Sequence, residues 1–367
     1  MQKKYTLIDL FAGTGAFSYA GLKTGKIKPI YANDIEHSSK TIYNLNMNHE
    51  LNLLNIHDIN IDDIPDADIL TAGFPCQPFS LAGKKLGFDD NRSNVIWKLL
   101  KIIKYKTPRV VILENVKNLL TIDEGIPFKT ICKKIKKMGY FLKYDVLSTD
   151  EYTDIPHGRE RIYIICFKYQ IDHNIFSFPE KITYTKQIGQ LIEPVVSNDY
   201  FYDNRYKDFD NIKEQMKHTY LENKVYQYRR GIIRENKSGV CPTLTANMGT
   251  GGHNVPLIKY SDGRIRKLIP RECFRLQGFD DSYLFPTIST CGENMNDNRL
   301  YKLAGNAVTM MLVKRILNNI IKVFDNNKII SYHDIEKRTN NLLQYKNIKL
   351  INLELQKEIK QINAFVI

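Results

Sequence analysis

The sequence predicts an α/β fold with a doubly wound, mostly parallel sheet, joined to a smaller domain of irregular and β structure. In the first half of the chain, short apolar runs bounded by polar or turn residues alternate with segments at helical spacing. This alternation is typical of a parallel sheet covered by helices on both faces. After about residue 170 the alternation stops, and a segment rich in Tyr, Asn and Lys shows no recurring βα unit.

The apolar runs predict the strands of the sheet. They cover residues 5–11, 30–33, 68–71, 109–115, 141–147 and 161–167. Apolar residues at helical spacing predict helices over 95–103 and 128–138, and Gly139 is a plausible helix stop. We expect bound molecules outside the carboxyl ends of these strands, as is general for open α/β sheets.

The domain organisation follows from the same patterns. We predict a first domain over 1–169, a second over 170–268, a return to the first over 269–325 and a helical tail over 326–367. An apolar helix is expected within 303–321. In the tail, Ile348, Ile351, Leu355 and Ile359 predict an amphipathic helix that covers the chain's own core.

The charge balance favours a polyanionic partner. The 367 residues include 53 basic and 40 acidic side chains, which gives a net charge of +13 and a pI near 9.2. Nucleic acid is the usual partner of such a protein, and a merely basic protein is the alternative.

Several classes are not indicated. The six cysteines include no C-x-x-C pair, so neither a zinc site nor a disulfide framework is expected. No run of about twenty apolar residues predicts a transmembrane helix. Asp9 interrupts the first apolar stretch before a signal peptide could form, so we expect a reducing, cytoplasmic location.

Cys76 stands in a stiff turn, Pro75-Cys-Gln-Pro78, that follows a predicted strand. The two prolines fix φ at their positions and restrict the residues before them. A thiol held in this way is a candidate nucleophile, although a free cysteine more often packs as a small hydrophobic side chain.

A glycine turn and an acid indicate an adenosine-containing cofactor. Gly13 and Gly15 follow the first strand, where they let the backbone turn sharply before a helix. Asp34 ends the second strand, positioned to accept hydrogen bonds from ribose hydroxyls, and Asp58 could bind an adenine amino group. The alternative is a simple glycine turn beside an exposed acid.

Charged residues at the fourth and sixth strands could serve the same site. Burial at the end of a strand should raise the pKa of Glu114 and suit it to donate a proton. Arg159 and Arg161 should point to one side of an extended segment, where they could lower the thiol pKa or bind a carbonyl or anionic group. A helix-capping carboxylate and a solvated arginine pair are the alternatives. Because parallel strands share one carboxyl edge, the glycine turn, Asp34, Cys76 and Glu114 should converge there.

With these residues in place, the chain strongly resembles the cytosine-5 DNA methyltransferases of restriction–modification systems. The matching motifs stand in the family order between about residues 5 and 320. They are Phe11-Ala-Gly-Thr-Gly15, Asn33-Asp34, Gly73-Phe-Pro-Cys-Gln-Pro-Phe-Ser80, Glu114-Asn-Val116, Arg159-Glu-Arg161, Arg271-Glu-Cys-Phe-Arg-Leu-Gln-Gly278 and Gly305-Asn-Ala-Val308. The resemblance implies a Rossmann-like, S-adenosylmethionine-dependent methyltransferase acting on double-stranded DNA.

The resemblance also implies a role for each matching residue. Cys76 would attack carbon 6 of a flipped-out cytosine, Glu114 would hydrogen-bond ring nitrogen 3 and the adjacent amino group, and Arg161 would hold the carbonyl oxygen. Arg159 would support the thiolate and a phosphate. The matching cofactor-contacting positions are Phe11, Gly13, Gly15, Phe17, Asp34, Ile35, Asp58, Pro75, Asn306 and Ala307.

Some positions depart from the family pattern. His157 stands where the family usually has glutamine, Ala16 replaces a common glycine, and Asp34 is shorter than the frequent glutamate. Residues 170–268 resemble a target-recognition domain, with Arg229, Arg230 and Arg234 as candidates for phosphate or guanine contacts and Asn247 or His253 for base contacts. The rival functions are a transfer RNA cytosine-5 methyltransferase and a catalytically silent DNA-binding protein. A cognate endonuclease acting on the same site, without stable binding, is a possible functional partner.

Overall fold

The computed structural model describes residues 4–75, 95–183, 185–206, 208–229, 231–236, 238–249, 255–286 and 295–343. Cys76, Arg230, His253 and the predicted tail helix therefore lie outside the described residues, as does the side chain of Arg229. Residues Met1–Asn319 form one compact unit and Ile320–Ile367 a second.

The strands and helices agree with the alternation predicted for the first half of the chain. The strands are β1 Tyr5–Leu10, β2 Ile27–Asp34, β3 Asn52–Leu53, β4 Ile69–Gly73, β5 Val110–Val116, β6 Phe141–Ser148, β7 His157–Gly158, β8 Glu160–Phe167, β9 Phe201–Tyr202, β10 Tyr226–Arg229, β11 Ile232–Glu235, β12 Cys241–Pro242, β13 Leu257–Lys259 and β14 Ile265–Lys267. The helices are α1 Ala16–Lys23, α2 His37–Asn46, α3 Val95–Lys106, α4 Ile126–Lys137, α5 Thr149–Tyr152, α6 Gln170–Ile175, α7 Phe209–Gln215, α8 Pro270–Leu276, α9 Asp297–Asn306 and α10 Met310–Leu343.

In the described part of the chain, the first sheet has seven strands in the order β3-β2-β1-β4-β5-β8-β6. All neighbouring pairs from β3 to β5 are parallel, whereas β8 runs antiparallel to both β5 and β6. The mostly parallel sheet is confirmed. Because β8 runs in the opposite direction, its first residues lie at the carboxyl edge, where Arg161 is in register with Val116.

The main core lies between this sheet and the helices that cover it. Strand β5 is buried from Val110 to Asn115, so its sequence is a nearly continuous apolar run rather than an alternating one. Leu99 and Ile103 of α3 and Ile131 of α4 pack into the same cluster. Packing in this core holds the strands in position, and the strands set the positions of the residues at their carboxyl ends.

A second, antiparallel sheet lies within the segment predicted to be irregular and β-rich. Counted over the same described residues, it has five strands in the order β11-β10-β13-β14-β9. Its core contains Tyr202, Ile212, Met216, Tyr226, Leu257 and Ile265. The segment is tied back to the first domain, because β12 pairs in parallel with β7. The compact units separate at residue 319 rather than at 170 or 268, so those two boundaries stay predictions.

Candidate active site

One cavity of about 630 Å³ lies at the carboxyl edge of the first sheet. It brings together most of the residues that the sequence predicted for the two halves of a site. The predicted residues that line it are Phe11, Gly13, Phe17, Asp34, Ile35, Pro75, Glu114, Arg159, Arg161, Asn306 and Ala307. Gly15 and Asp58 do not line it. Asp58 is exposed at the end of the 3₁₀ helix Ile56–Asp58, whose other two residues do line the cavity.

The glycine turn has the predicted conformation. Gly13 and Gly15 have φ values of +53° and +71°, and α1 begins immediately afterwards. A Cβ atom on Gly15 would lie 2.7 Å from the ring of Tyr43, so this glycine is required by packing as well as by backbone conformation. Gly15 therefore shapes the turn from behind the cavity.

Asp34, at the end of β2, is hydrogen-bonded to the glycine turn. One carboxylate oxygen accepts a hydrogen bond from the Gly13 N–H at 2.8 Å, and the other accepts one from the Glu36 N–H at 2.9 Å. Burial raises the pKa of Asp34, and these two backbone hydrogen bonds oppose the shift.

Behind the turn lies a buried acid that the sequence reasoning missed. Asp9 accepts hydrogen bonds from the N–H and hydroxyl of Ser18 and from the hydroxyl of Thr71. Burial raises its pKa to about 7. The signal was an acidic residue inside an otherwise apolar strand, where a side chain without hydrogen-bond partners would be costly.

Glu114 and Arg161 form the charged centre of the other half of the cavity. The Arg161 Nε atom lies 3.1 Å from a Glu114 carboxylate oxygen, and Glu114 is 7% exposed. Burial raises the pKa of Glu114, while Arg161 and then Arg159 oppose the shift. The predicted direction of this pKa shift is confirmed.

Arg159 lies deeper than the sequence suggested. Its guanidinium donates to the carbonyl oxygens of Leu244 at 3.0 Å, Gly305 at 3.3 Å and Ala307 at 2.7 Å. Burial, with Arg161 nearby, lowers its pKa to about 9. Two of its three nitrogen atoms therefore donate to backbone, and Nε is the nitrogen that has no partner among the described residues.

His157, which stands where the family usually has glutamine, has a hydrogen-bond partner at each ring nitrogen. Its Nδ1 atom lies 2.9 Å from the carbonyl oxygen of Leu276, and the N–H of Leu244 donates to Nε2 at 3.1 Å. Burial lowers its pKa, so the imidazole is neutral, with the proton on Nδ1 facing the carbonyl. A neutral imidazole thus donates once and accepts once, as a side-chain amide can.

The segment that resembles a target-recognition element packs against the end of α9. A Cβ atom on Gly305 would lie 2.2 Å from the carbonyl carbon of Thr245, which explains the glycine at this position. Asn247 accepts a hydrogen bond from the Thr245 hydroxyl, and Arg234 is exposed. The contacts predicted for both residues stay predictions.

The cavity meets the requirements of a polar, nucleoside-sized ligand. Its volume lies in the usual range for small-molecule sites. Among the residues that the structure describes, four buried side-chain atoms have no hydrogen-bond partner: Thr14 Oγ1, His57 Nε2, Arg159 Nε and Tyr163 Oη. The first three belong to residues that line the cavity. We therefore conclude that the donor and acceptor set fits an adenosyl cofactor.

Other classes of site are not supported by the described part of the chain. There, no group of three or more His, Cys, Asp or Glu side chains could hold a metal ion. No helix in the same ranges has the length and apolar character needed to cross a membrane.

Comparisons with known proteins show the family of the chain. Residues 5–322 match the family model of C-5 cytosine-specific DNA methylases. The chain is 40% identical to the type II methyltransferase M.Bsp6I of Bacillus sp. strain RFL6, over 86% of this chain and 98% of the relative. It is 32% identical to the type II methyltransferase M.HhaI of Haemophilus parahaemolyticus, over 85% and 93%.

Solved structures share the fold. The crystal structure of the Schizosaccharomyces pombe Dnmt2 methyltransferase has a TM-score of 0.66 and 20% identity, and the alignment covers 87% of this chain and 99% of that one. A putative DNA modification methyltransferase encoded within an Escherichia coli prophage has a TM-score of 0.60 and 16% identity, with 88% and 100% covered. The chain belongs to the C-5 cytosine-specific DNA methylase family, and it is a DNA cytosine-5 methyltransferase of the restriction–modification type.

Proposed function

We propose that this methyltransferase uses S-adenosylmethionine and methylates carbon 5 of a cytosine flipped out of a specific short site in duplex DNA. One observation carries the proposal: a single cavity contains the glycine turn and Asp34 on one side and the Glu114–Arg161 pair on the other. Pro75, the last described residue before Cys76, lines the same cavity. The chain therefore enters the loop of the proposed nucleophile at the site itself.

Glu114 prepares the base for attack. Because burial favours the neutral carboxyl group, Glu114 can donate a hydrogen bond to ring nitrogen 3. Donation withdraws electron density from carbon 6, which becomes more electrophilic. Arg161 lies beside Glu114, where its guanidinium can also hold the carbonyl oxygen of the base.

Cys76 supplies the nucleophile. Its thiolate adds to carbon 6, and the resulting loss of aromatic conjugation makes carbon 5 nucleophilic. Bound S-adenosylmethionine would supply an electrophilic methyl group. With the methyl group on carbon 5, loss of the carbon 5 proton to water and elimination of the Cys76 thiolate would restore the ring and free the enzyme.

Arg159 has a positioning role in this proposal. Its hydrogen bonds join the start of β8 to Leu244 in the recognition segment and to Gly305 and Ala307 at the end of α9. Its Nε–H, which has no partner among the described residues, is a donor that can support the thiolate or a phosphate.

Residues 170–268 are proposed as the target-recognition domain. Its antiparallel sheet carries the β10–β11 hairpin, to which Arg229 and Arg234 belong. Since the chain is basic, DNA binding should weaken steeply with salt, and a flat salt response would contradict this part of the proposal. We also propose a cytoplasmic enzyme and a cognate endonuclease that acts on the same site without stable binding.

A methylation assay with duplex DNA and with transfer RNA tests the substrate class. We expect labelled methyl transfer to DNA, and bisulfite sequencing of the product would give the recognised site. The curated relatives reported above are type II methyltransferases, which favours DNA over the RNA alternative. Methyl transfer to RNA alone would overturn the proposal.

A further inference from the structure

Two side chains to which the sequence analysis gave no role are in place to contact a ligand in the cavity: Thr14, within the glycine turn, and His57. Thr14 is 1% exposed, and its hydroxyl is one of the buried atoms without a partner in the described chain. His57 also lines the cavity, and its buried Nε2 atom has no partner there either. A buried polar atom without a partner is unfavourable, so each one calls for an explanation.

We propose that Thr14 and His57 are further cofactor-binding residues, which contact opposite ends of the adenosyl ligand. This inference rests on the proposed function, since it assumes S-adenosylmethionine as the ligand. It deepens that function because it assigns ligand hydrogen bonds to two side chains that had no assigned role.

The strand order places the two residues at different points of the cavity. Along the sheet edge β3-β2-β1-β4-β5, His57 follows β3, Asp34 ends β2 and Thr14 follows β1. Glu114 of β5 lies at the far end of this series. With Asp34 on the ribose, His57 is on the adenine side and Thr14 is on the side of methyl transfer, which the amino-acid portion occupies.

Both residues are held by neighbouring backbone contacts. The N–H of His57 donates to the Asn55 side chain, and the carbonyl oxygen of His57 accepts from the Lys98 ammonium group. Thr14 stands between Gly13 and Gly15, in a turn closed by the 2.7 Å hydrogen bond from the Gly15 N–H to Ala12. The backbone segments that carry the two unpartnered atoms are therefore held before the ligand arrives.

The chemistry suits the two ends of the ligand. An imidazole nitrogen can donate to an adenine ring nitrogen or accept from its amino group, according to the tautomer. A threonine hydroxyl can donate to the carboxylate and accept from the ammonium group of the amino-acid portion. Both contacts would satisfy atoms that are unsatisfied in the free protein.

A structural role and a ligand-binding role give opposite results on substitution. If Thr14 only packed, its hydroxyl would be a defect, and Thr14→Val would keep all function. If the hydroxyl binds the ligand, Thr14→Val should leave the free protein at least as stable, because an unpartnered buried hydroxyl is removed, while ligand binding weakens. The same logic applies to His57→Leu.

Calorimetric titration with S-adenosylhomocysteine, without DNA, tests the proposal independently of activity. We expect Thr14→Val and His57→Leu to weaken binding about 3- to 10-fold each, as for the loss of one hydrogen bond. Thr14→Ser and His57→Gln keep a polar atom nearby and should stay within about 2-fold of the wild type.

A second ligand separates the two ends. Methylthioadenosine has the adenosine but lacks the amino-acid portion, so His57→Leu should weaken binding of both ligands and Thr14→Val only that of S-adenosylhomocysteine. Thr153→Val is the matched control: it removes a buried hydroxyl that donates to Thr149 at 2.6 Å outside the cavity. The control should lower the melting temperature and leave both affinities unchanged.

The failures are distinguishable. If the wild type binds S-adenosylhomocysteine and the Thr14→Val and His57→Leu proteins bind it equally well, this inference is wrong and the proposed function stands. If both variants lose stability as Thr153→Val does, the two side chains are structural and the inference is again wrong. If the wild-type protein binds neither ligand, the proposed function fails as well.

Discussion

The two halves of the cavity differ in how their polar groups are satisfied. In the cofactor half, within the described residues, Thr14 and His57 each carry a buried atom without a partner. In the half that faces the base, Glu114 is paired with Arg161 at 3.1 Å, and Arg159 donates to three backbone carbonyls. Arg159 Nε is also without a partner among these residues, so unpartnered atoms occur in both halves. The difference lies in the charged pair: the cofactor half has an unpartnered hydroxyl and an unpartnered imidazole nitrogen, whereas Glu114 and Arg161 contact each other and must share that contact with an incoming base.

The same contrast separates the two buried acids. Asp9, behind the glycine turn, has hydrogen bonds from Ser18 and Thr71, and burial raises its pKa to about 7. Glu114 is equally enclosed, but the charges of Arg161 and Arg159 oppose the effect of burial on its pKa. A buried carboxyl group beside arginines can change its protonation state at lower cost, which suits a group that exchanges protons or hydrogen bonds with a substrate.

The largest expected effect comes from the proposed nucleophile. Cys76→Ala should reduce methyl transfer to background, because the other groups of the site cannot form the bond to carbon 6. Binding of S-adenosylhomocysteine should stay at the wild-type level, since the cofactor half does not depend on the thiol. Radiolabelled methyl transfer and calorimetry measure the two effects, and methylation by the variant would refute the mechanism.

Glu114→Gln should likewise impair methyl transfer without weakening cofactor binding. We expect kcat to fall by about 10²- to 10³-fold, as for loss of a preorganised group at the reacting centre, with cofactor affinity retained. In the wild type, methyl transfer requires the protonated Glu114 carboxyl group. The rate should therefore be maintained at pH values below the raised pKa of Glu114 and should decline as the pH rises through that pKa. The Glu114→Gln protein, which cannot ionise at this position, should lack that decline in its pH–rate profile. A decline unchanged by the substitution would assign it to another group.

Asp9 should make stability depend on pH. Its pKa is about 7 in the folded protein and about 3.9 in an unfolded chain, so between these values the folded state binds the extra proton. The free energy of unfolding should therefore decrease as pH rises, with a slope of up to about 1.4 kcal/mol per pH unit. Denaturant unfolding of the wild type and Asp9→Asn at several pH values isolates this contribution, because other groups cancel in the difference. A difference independent of pH would contradict the assignment.

The smallest effect is expected for the stability of the protein when His157 is substituted by glutamine. His157→Gln restores the family residue and should change stability by less than about 0.5 kcal/mol, because an amide can donate to Leu276 and accept from Leu244. His157→Leu removes both hydrogen bonds and should cost about 1–3 kcal/mol. Urea unfolding checks both values. Equal losses in the two variants would show that the imidazole ring, rather than its hydrogen bonds, is required.

Local patterns predicted much of the architecture. The apolar runs located β1, β2, β4, β5, β6 and β8 to within a few residues, and the glycines located the turn before α1. The direction of a strand cannot be predicted in this way, because a buried strand has the same apolar pattern in a parallel and in an antiparallel pair. The reversal of β8 was therefore not predicted, although it explains why Arg161 lies beside Glu114.

The interactions that were missed join residues distant in the sequence. Arg159 reaches Leu244, Gly305 and Ala307, and no spacing rule connects those positions. His57 lines the cavity and was not singled out from the sequence, whereas its neighbour Asp58 is exposed and does not line it; the adenine contact predicted for Asp58 stays a prediction. Both residues lie in the 3₁₀ helix Ile56–Asp58, and a sequence pattern does not show which side chains of so short a helix line a cavity.

Adduct formation tests the central claim most directly. The protein is incubated with S-adenosylmethionine and duplex DNA that carries 5-fluorocytosine in the recognised site, then analysed under denaturing conditions. Since fluorine cannot leave as a proton does, the wild type should remain covalently attached to the DNA and Cys76→Ala should not. A wild-type protein that methylates ordinary DNA but forms no adduct would contradict nucleophilic catalysis by Cys76.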